Sequence, residues 1–372
     1  MIQQTKREMA ERVLLDRFPE IKPYSPELSK VVESYKDGTF GVGNLAFALY
    51  SNGHNLRGRS TKYPYGLVFF DGESFFSVGY YRKEYDSEDS DGYVFFVAPR
   101  GKNATQRVTD LSHRILNDEE IPCNGIYTRF LTLDQYVDLL NRGFLPAKEH
   151  PWHDDSPEED ETLTSSLVRI DDILTNEGNV KTLGYGSKNT RSKSRMTHNR
   201  FENFLGRNGL EYSLRRYNPQ DFEMAKSIVE AHFNILGENG EPIGSTAEDH
   251  FNSIDPKLTE VESVRAYLGL LSGVPVSYFA GEKLSDSRFA LYTPFTLRSP
   301  ELVLPQVGFE NGETDKGFSA MPIFSYIELM KELRKEGINE VLFGGSEHRD
   351  LNRIKRQLGC RNVPSYWAVK VK

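Results

Sequence analysis

The residues best suited to chemistry lie in a short segment near the end of the chain. An apolar run from Glu340 to Phe343 is followed by Gly344, Gly345, Ser346, Glu347 and His348. Two glycines after a strand leave backbone N–H groups open toward the next helix, where an anion or an oxyanion can bind. Glu347 and His348 are candidates to accept a proton from an attacking amine. The alternative is a tight turn capped by Ser346, with the Glu-His pair in solvent.

The helix predicted after this turn carries Asn352 and Lys355. Its apolar stripe consists of Leu351, Ile354 and Leu358. A lysine in this place can hold negative charge on a transferred carbonyl, or bind a phosphate of the donor. It is a poor proton donor unless burial lowers its pKa. The alternative is a surface lysine beside Arg353 and Arg356.

A regular succession of elements must position these residues. Period-two apolar runs predict strands, three- and four-residue spacing predicts helices, and Ser272-Gly273 predicts a hairpin turn. The predicted elements are strands Tyr267 to Leu271, Pro275 to Gly281 and Arg288 to Phe295, a helix Phe318 to Lys335, the strand Glu340 to Phe343, the helix with Lys355, and a last strand Tyr366 to Val371.

This β-β-β-α-β-α-β order, with LNRIKRQLGC after the second-last strand, resembles the GNAT superfamily of N-acyltransferases over roughly Tyr217 to Lys372. Leu358-Gly359-Cys360 stands where the family has Leu-Gly-Phe, and Asn352 matches a frequent family Asn. Where acetyltransferases commonly have a tyrosine as general acid, this chain has Lys355. Ile354-Lys355 is similar to the Phe-Lys of Fem-type peptidoglycan aminoacyltransferases and of the soluble domain of phosphatidylglycerol lysyltransferases.

The resemblance implies an acyl- or aminoacyl-transferase with an α/β mixed sheet. Its two central strands are expected to diverge at Phe343-Gly344-Gly345, beside the donor. No R/Q-x-x-G-x-G/A pyrophosphate loop precedes the long helix. The donor is therefore either aminoacyl-tRNA or acyl-CoA, and we expect no tightly bound cofactor. The acceptor is left open among a peptide, a lipid head group, a small amine and a nucleic-acid base.

The first half repeats the element order more faintly. The strands are predicted at Leu67 to Phe70, Phe75 to Tyr81, Tyr93 to Ala98 and Ile126 to Leu131, with helices at Thr105 to Ile115 and Leu133 to Asn141. We therefore predict two tandem GNAT-like domains: a degenerate one over residues 1–150, an acidic linker over 151–180, and a C-terminal domain with the active site over 181–372. The last strand of each is expected beside the strand before it.

A basic segment opens the second domain. Residues 181–216 hold nine basic side chains and two acidic ones, although the whole chain has a formal charge of −8. A helix carrying Arg191, Lys193, Arg195 and Arg200 can present cations to phosphate, so tRNA or another phosphate-bearing ligand is the expected partner. The alternative is a solvated helix with Met196 and Phe201 docked on the core.

Composition limits the remaining possibilities. The chain of 372 residues has no apolar run near the ~20 residues that a membrane span needs. Its amphipathic N-terminus is unlike a signal peptide, and Cys123 and Cys360 alone predict no disulfide framework, so we expect a cytoplasmic protein. His150, His153, Asp154 and Asp155 match no closed zinc spacing, and no metal is predicted. The second functional hypothesis is a non-catalytic GNAT-like binding or assembly module.

Overall fold

The computed structural model describes residues 6–50, 62–81, 91–147, 164–181, 188–238, 247–309, 317–344 and 354–372. The chain forms two compact units. The first comprises Met1–Glu158, Gly244–Asn252 and Pro364–Lys372, and the second comprises Glu159–Ile243 and Ser253–Val363. Each unit contains one mixed sheet of seven strands among its described residues.

The first sheet has the strand order β1-β2-β3-β4-β5-β14-β6. Its strands are β1 (Ile21–Pro23), β2 (Leu67–Phe70), β3 (Ser74–Tyr81), β4 (Gly92–Gly101), β5 (Cys123–Leu131), β6 (Leu145–Pro146) and β14 (Tyr366–Val371). The helices of this unit are α1 (Lys6–Arg17), α2 (Ser29–Ser34), α3 (Asn44–Tyr50), α4 (Ala104–Leu116) and α5 (Leu133–Asn141). Apolar residues of α1 and α4 form one core with the sheet, because each helix presents an apolar stripe to it.

The second sheet has the order β13-β7-β12-β11-β10-β9-β8. Its strands are β7 (Thr164–Arg169), β8 (Tyr212–Arg216), β9 (Val264–Leu271), β10 (Val274–Lys283), β11 (Arg288–Thr296), β12 (Glu340–Phe343) and β13 (Arg361–Pro364). The helices are α6 (Ile170–Ile173), α7 (Lys188–Asn208), α8 (Phe222–Glu238), α9 (Pro256–Thr259), α10 (Pro300–Val303), α11 (Met321–Lys335) and the short α12 at 354–357.

The core of the second unit lies between α11 and one face of its sheet. Ile323, Ile327, Met330 and Leu333 of α11 pack with Phe279, Phe289 and Val341 of the strands. Ile354 and Leu358 join the same core, so α12 lies on the α11 side of the sheet. The predicted apolar spacing of the long helix is confirmed.

The two sheets repeat one strand order. In each, an antiparallel hairpin leads into a parallel pair, β4 with β5 and β11 with β12. A helix connects the members of each pair, α4 in the first unit and α11 in the second. The predicted tandem arrangement of two GNAT-like mixed sheets is therefore present. The predicted bounds of β2, β12 and α5 are those observed.

The last strand predicted for the first half, β5, lies beside β4 as expected. The last strand of the chain does not lie where we expected. Instead of closing the second sheet, β14 lies in the first sheet, pairing antiparallel with β5 on one side and with β6 on the other. β7, from the segment predicted as a linker, pairs antiparallel with β12 in the second sheet. The expectation was wrong because an alternating pattern identifies a strand but not its neighbours. Ala368 is fully buried in the first core, and this burial fixes the place of β14.

Candidate functional site

The two central strands of the second sheet diverge at the predicted place. β11 and β12 pair in parallel from Arg288 with Glu340 to Leu291 with Phe343, where β12 ends. β11 continues to Thr296, and among the described residues this last stretch pairs only with β10. The stretch 292–296 of β11 therefore borders an opening on the β12 side, and Gly344 lies on the other side of that opening.

A β-bulge helps to separate the strands. Ala280 pairs with Thr293 and Gly281 with Leu291, so Tyr292 is an extra residue on β11. A bulge bends its strand and redirects the residues that follow it. Gly281 makes this approach possible, since a Cβ there would lie 2.1 Å from the carbonyl oxygen of Ala290.

Lys355 points into the divergence rather than into solvent. The residue is only 4% exposed. Its Nζ donates a hydrogen bond to the carbonyl oxygen of Gly344 at 2.5 Å. This contact fixes the ammonium group where β12 ends, and it rules out the alternative of a surface lysine. An ammonium has three N–H donors, so the bond to Gly344 is compatible with a second bond to a substrate oxygen.

Cys360 and Tyr326 extend the site on the α11 side. Burial raises the pKa of the Cys360 thiol to about 12, although the charge of Lys355 acts to lower it. Burial also raises the pKa of the Tyr326 hydroxyl, and the charge of Arg298 opposes that shift. The Tyr326 ring lies 5.9 Å from that of Phe343, the last residue of β12. At neutral pH both groups are therefore neutral and protonated.

His232 and Arg298 lie near the end of β11. The His232 ring of α8 is 5.0 Å from that of Phe295, and the backbone of Thr296 acts to raise its pKa. Burial lowers the pKa of His232 to about 4, and the charge of Arg298 acts in the same direction. The imidazole is therefore neutral at physiological pH. Arg298 is exposed just beyond the strand and influences both His232 and Tyr326.

The corresponding divergence in the first unit is filled by Arg100. The last parallel pair there is Val97 with Arg129. The Arg100 guanidinium donates to the carbonyl oxygens of Pro99 at 2.7 Å and Phe130 at 3.3 Å, and to Asp37 at 2.6 Å. The residue is 5% exposed. One arginine therefore bridges β4 and β5 where the second unit has its opening.

Register gives the residue of the second unit that corresponds to Arg100. The bulge in β4 begins at Ala98, directly after the last parallel pair, as the bulge at Tyr292 does in β11. Counting on from each bulge, Arg100 corresponds to Pro294. Proline has no cationic side chain to span the strands, so the second unit lacks the arginine bridge at this position. The predicted degenerate and active domains differ here in a specific residue.

The basic segment forms α7, as predicted. Its inner face packs on α11, with the His198 ring 4.7 Å and the Phe201 ring 4.9 Å from that of Phe324. Arg195 and Arg200 are exposed on the outer face. Arg191 and Lys193 belong to the helical backbone, but their side chains lie outside the described residues. Met196 is 59% exposed, so the alternative that docked it on the core was wrong for this residue.

Several predicted residues lie outside the described part of the chain. They are Gly345, Ser346, Glu347, His348 and Asn352, together with the four residues weighed as a metal site, His150, His153, Asp154 and Asp155. Their roles stay predictions. Lys355 and Gly344 are brought together, whereas no contact joins either of them to Arg195 or Arg200 among the described residues.

Sequence reasoning missed His232, Tyr326 and Arg298. Each belongs to a different element, and only the sheet order brings them to one strand end. His232 follows Ile228 and Val229 at four- and three-residue spacing, both of which are fully buried. That spacing would have placed it on the inner face of α8. No comparable local signal distinguishes Tyr326 from the other apolar residues of α11.

Comparisons with known proteins agree with this architecture. No protein-family model matches the chain, and no curated protein is significantly similar to it in sequence. Among solved structures, a conserved protein of unknown function from Bacteroides thetaiotaomicron has a TM-score of 0.61 and 12% identity, covering 95% of this chain and 99% of that one. FemX has a TM-score of 0.55 and 12% identity, covering 95% and 97%.

A third similar structure is the C-terminal DUF2156 domain of an Agrobacterium fabrum protein described as a lysylphosphatidylglycerol synthetase. Its TM-score is 0.53 at 12% identity, covering 93% of this chain and 92% of that one. At sequence identities this low, the structural similarity establishes a shared fold and nothing further. The chain thus has the tandem GNAT-like fold also found in FemX and in the synthetase domain, as the sequence resemblance predicted. In the described part of the chain, no helix is both long and apolar enough to cross a membrane.

Proposed function

We propose that the second unit is the catalytic unit of an acyl- or aminoacyl-transferase. The observation that carries this proposal is the position of Lys355, buried where β11 and β12 diverge and bonded to the Gly344 carbonyl. A cation held at a strand opening is suited to stabilise the oxyanion of a tetrahedral intermediate. The resemblance of Ile354-Lys355 to the Phe-Lys of Fem-type enzymes supports the same role.

The reaction is attack by an acceptor amine or hydroxyl on an activated ester or thioester. Positioning and charge stabilisation supply most of the rate in such transfers, and few protein groups change protonation. Tyr326 and Cys360 fit this picture because burial raises the pKa of both, which keeps their hydrogens in place at neutral pH. Lys355 acts through its charge.

The donor is either aminoacyl-tRNA or acyl-CoA, and the surface of α7 favours the tRNA. This helix has 21 residues, which corresponds to about 30 Å at 1.5 Å per residue. Its outer face carries the exposed cations Arg195, Arg200 and Arg207. Arg195 and Arg207 lie about 18 Å apart along the helix axis at 1.5 Å per residue. Cations spread over this distance match the repeated phosphates of a nucleic acid better than the compact phosphate groups of one CoA molecule.

A transfer assay tests the function and the donor class together. The purified protein is incubated with lysyl-tRNA or acetyl-CoA and with a lysine-containing peptide, phosphatidylglycerol vesicles or methylamine as acceptor. Mass spectrometry of the acceptor is expected to show an acylated product with one donor class. Failure of both donors with every acceptor, in a folded sample, would favour the non-catalytic binding or assembly module.

The role of α7 is tested by the salt dependence of tRNA binding. Replacing Arg191, Lys193 and Arg195 by alanine is expected to weaken binding and to flatten the plot of log affinity against log salt. Each lost phosphate contact removes about one unit of slope. The matched control replaces the exposed Lys30, Lys62 and Lys102 of the first unit, which removes the same charge elsewhere. Equal slopes for the two triple variants would indicate that the cations of α7 contact solvent and not tRNA phosphates.

A further inference from the structure

The side of the opening away from α11 also carries a group capable of chemistry. Phe279 of β10 packs on Tyr326 of α11, with ring centroids 5.3 Å apart. Its neighbour Tyr278 points to the opposite face of the sheet, because successive strand residues alternate. Tyr278 pairs with Phe295, which therefore faces away from α11 as well. His232 packs on Phe295, so it lies on that opposite face.

The position of His232 is fixed by contacts on two sides. Its ring packs against Phe295 at 5.0 Å and against Phe233 at 5.6 Å. Phe295 and Thr296 belong to the stretch of β11 that borders the opening beyond the last β12 pair. A neutral imidazole has one N–H and one nitrogen with a lone pair, so His232 has an atom that can accept a proton.

We propose that His232 is the catalytic residue that accepts the proton of the attacking acceptor, an inference that rests on the proposed transferase function. The acceptor nitrogen or oxygen forms a bond to the donor carbonyl carbon. The ester C–O or thioester C–S bond breaks, and the acceptor proton passes to the unprotonated nitrogen of His232. From there it passes to the leaving oxygen or sulfur, so that atoms and charge balance.

The two faces of the sheet give Lys355 and His232 separate roles. A nucleophile approaches a carbonyl from above or below its plane, while the oxyanion develops in that plane. Lys355 is fixed at the end of β12 by a helix on the α11 side, whereas His232 approaches from the α8 side. One group thus stabilises the carbonyl oxygen and the other receives the proton. Burial supports the second role, because it keeps the imidazole neutral at physiological pH.

The test compares two acceptors in one variant. His232→Gln retains a polar side chain but removes the base. Methylamine needs a base because its nitrogen, once bonded to the carbonyl carbon, holds its proton strongly. Hydroxylamine is unprotonated at neutral pH, and its adduct loses a proton to water readily. With the donor that supports turnover, we expect His232→Gln to lower the transfer rate at least 100-fold with methylamine and less than 10-fold with hydroxylamine.

The ratio of the two rates does not depend on how much of the variant is folded, so partial unfolding does not obscure the result. His232→Asn provides a second variant, and His113→Gln, at an exposed position of α4, is the matched control with no expected change. Equal losses with the two acceptors, or no loss with either, would overturn the role of His232 while leaving the transferase function intact. A folded wild-type protein that is inactive with both donors and with every acceptor of the transfer assay, and with hydroxylamine as well, would overturn both proposals.

Discussion

At the scale of single residues, a buried cation lies at the divergence of the parallel strands in each unit. Arg100 bonds to the carbonyl oxygens of β4 and β5, whereas Lys355, on the helix α12, bonds to the carbonyl oxygen of Gly344. A guanidinium is a rigid fork that satisfies several acceptors at once, and an ammonium is a compact charge on a flexible stem. The first suits a structural bridge, and the second suits contact with a substrate.

The bridge that Arg100 makes between β4 and β5 predicts that its removal strongly destabilises the first unit. Burial lowers the pKa of Arg100, and only the charge of Asp37 and a hydrogen bond to it oppose that shift. Arg100→Ala leaves buried carbonyl groups without a donor, so we expect a loss of about 2 to 4 kcal/mol in the free energy of unfolding. Urea unfolding measures it. Arg17→Ala, which breaks exposed pairs with Asp118 and Glu120, is the control with a much smaller loss. Equal losses would contradict the bridge.

Glu336 predicts a specific dependence of stability on pH. Burial alone would raise its pKa, but hydrogen bonds from Tyr267 and Arg265 and the charges of Arg265 and Arg216 outweigh it and lower the pKa to about 2. A carboxyl with a depressed folded-state pKa stabilises the protein above its ordinary value of 4.5. That stabilisation is lost as the pH falls toward 2.

The measurement is the free energy of unfolding as a function of pH for the wild type and Glu336→Gln. The variant is expected to be less stable at neutral pH and to lose less stability on acidification, so that the two curves converge at low pH. Glu332→Gln, on the same helix, provides the control because Glu332 pairs only with the exposed Lys335 among the described contacts. Parallel curves for the wild type and Glu336→Gln would contradict the assigned pKa.

At the scale of elements, the bulge in β11 depends on a glycine in β10. Gly281→Ala would force its Cβ against the carbonyl of Ala290 and the Phe289 ring, 2.1 and 2.5 Å away. We expect a loss of about 1 to 3 kcal/mol in the free energy of unfolding.

Gly206 of α7 provides the control, because no atom lies within 4 Å of the position that its Cβ would take. Gly206→Ala is therefore expected to stabilise by about 0.5 to 1 kcal/mol. Thermal melts of the two variants should shift in opposite directions, and shifts of the same sign would refute this explanation.

Local patterns predicted most elements of the fold but not all of their partners. The apolar run of β2 and the capped helix α5 were sufficient to give their bounds. β7 escaped prediction because its sequence TSSLVR has little apolar alternation, and Ser165 and Ser166 are nonetheless buried. For the candidate site, too, local patterns predicted single residues but not which residues the fold brings together. Lys355 was predicted from one local motif, whereas His232 and Arg298 join it only through the order of strands in the sheet.

At the scale of the whole molecule, the chain returns to its first sheet at the end. A protein truncated to remove residues 365–372 lacks β14, which pairs with both β5 and β6. Hydrogen exchange is expected to show lost protection in β5, at Ile126 and Thr128. β12 should stay protected at Val341 and Leu342, because its neighbour is β7. Loss of protection in β12 with β5 unchanged would contradict the assignment of β14 to the first sheet.

The transferase account depends on the charge of Lys355. The most direct measurement is kcat/KM for Lys355→Ala and Lys355→Arg, with the donor and acceptor that support turnover and with thermal melts to confirm folding. Alanine should cost about 2 to 4 kcal/mol in transition-state stabilisation, as expected on removal of an oxyanion donor, while arginine should retain much more of the activity because it keeps the charge. Wild-type activity in a folded Lys355→Ala protein would remove Lys355 from the site and contradict the account.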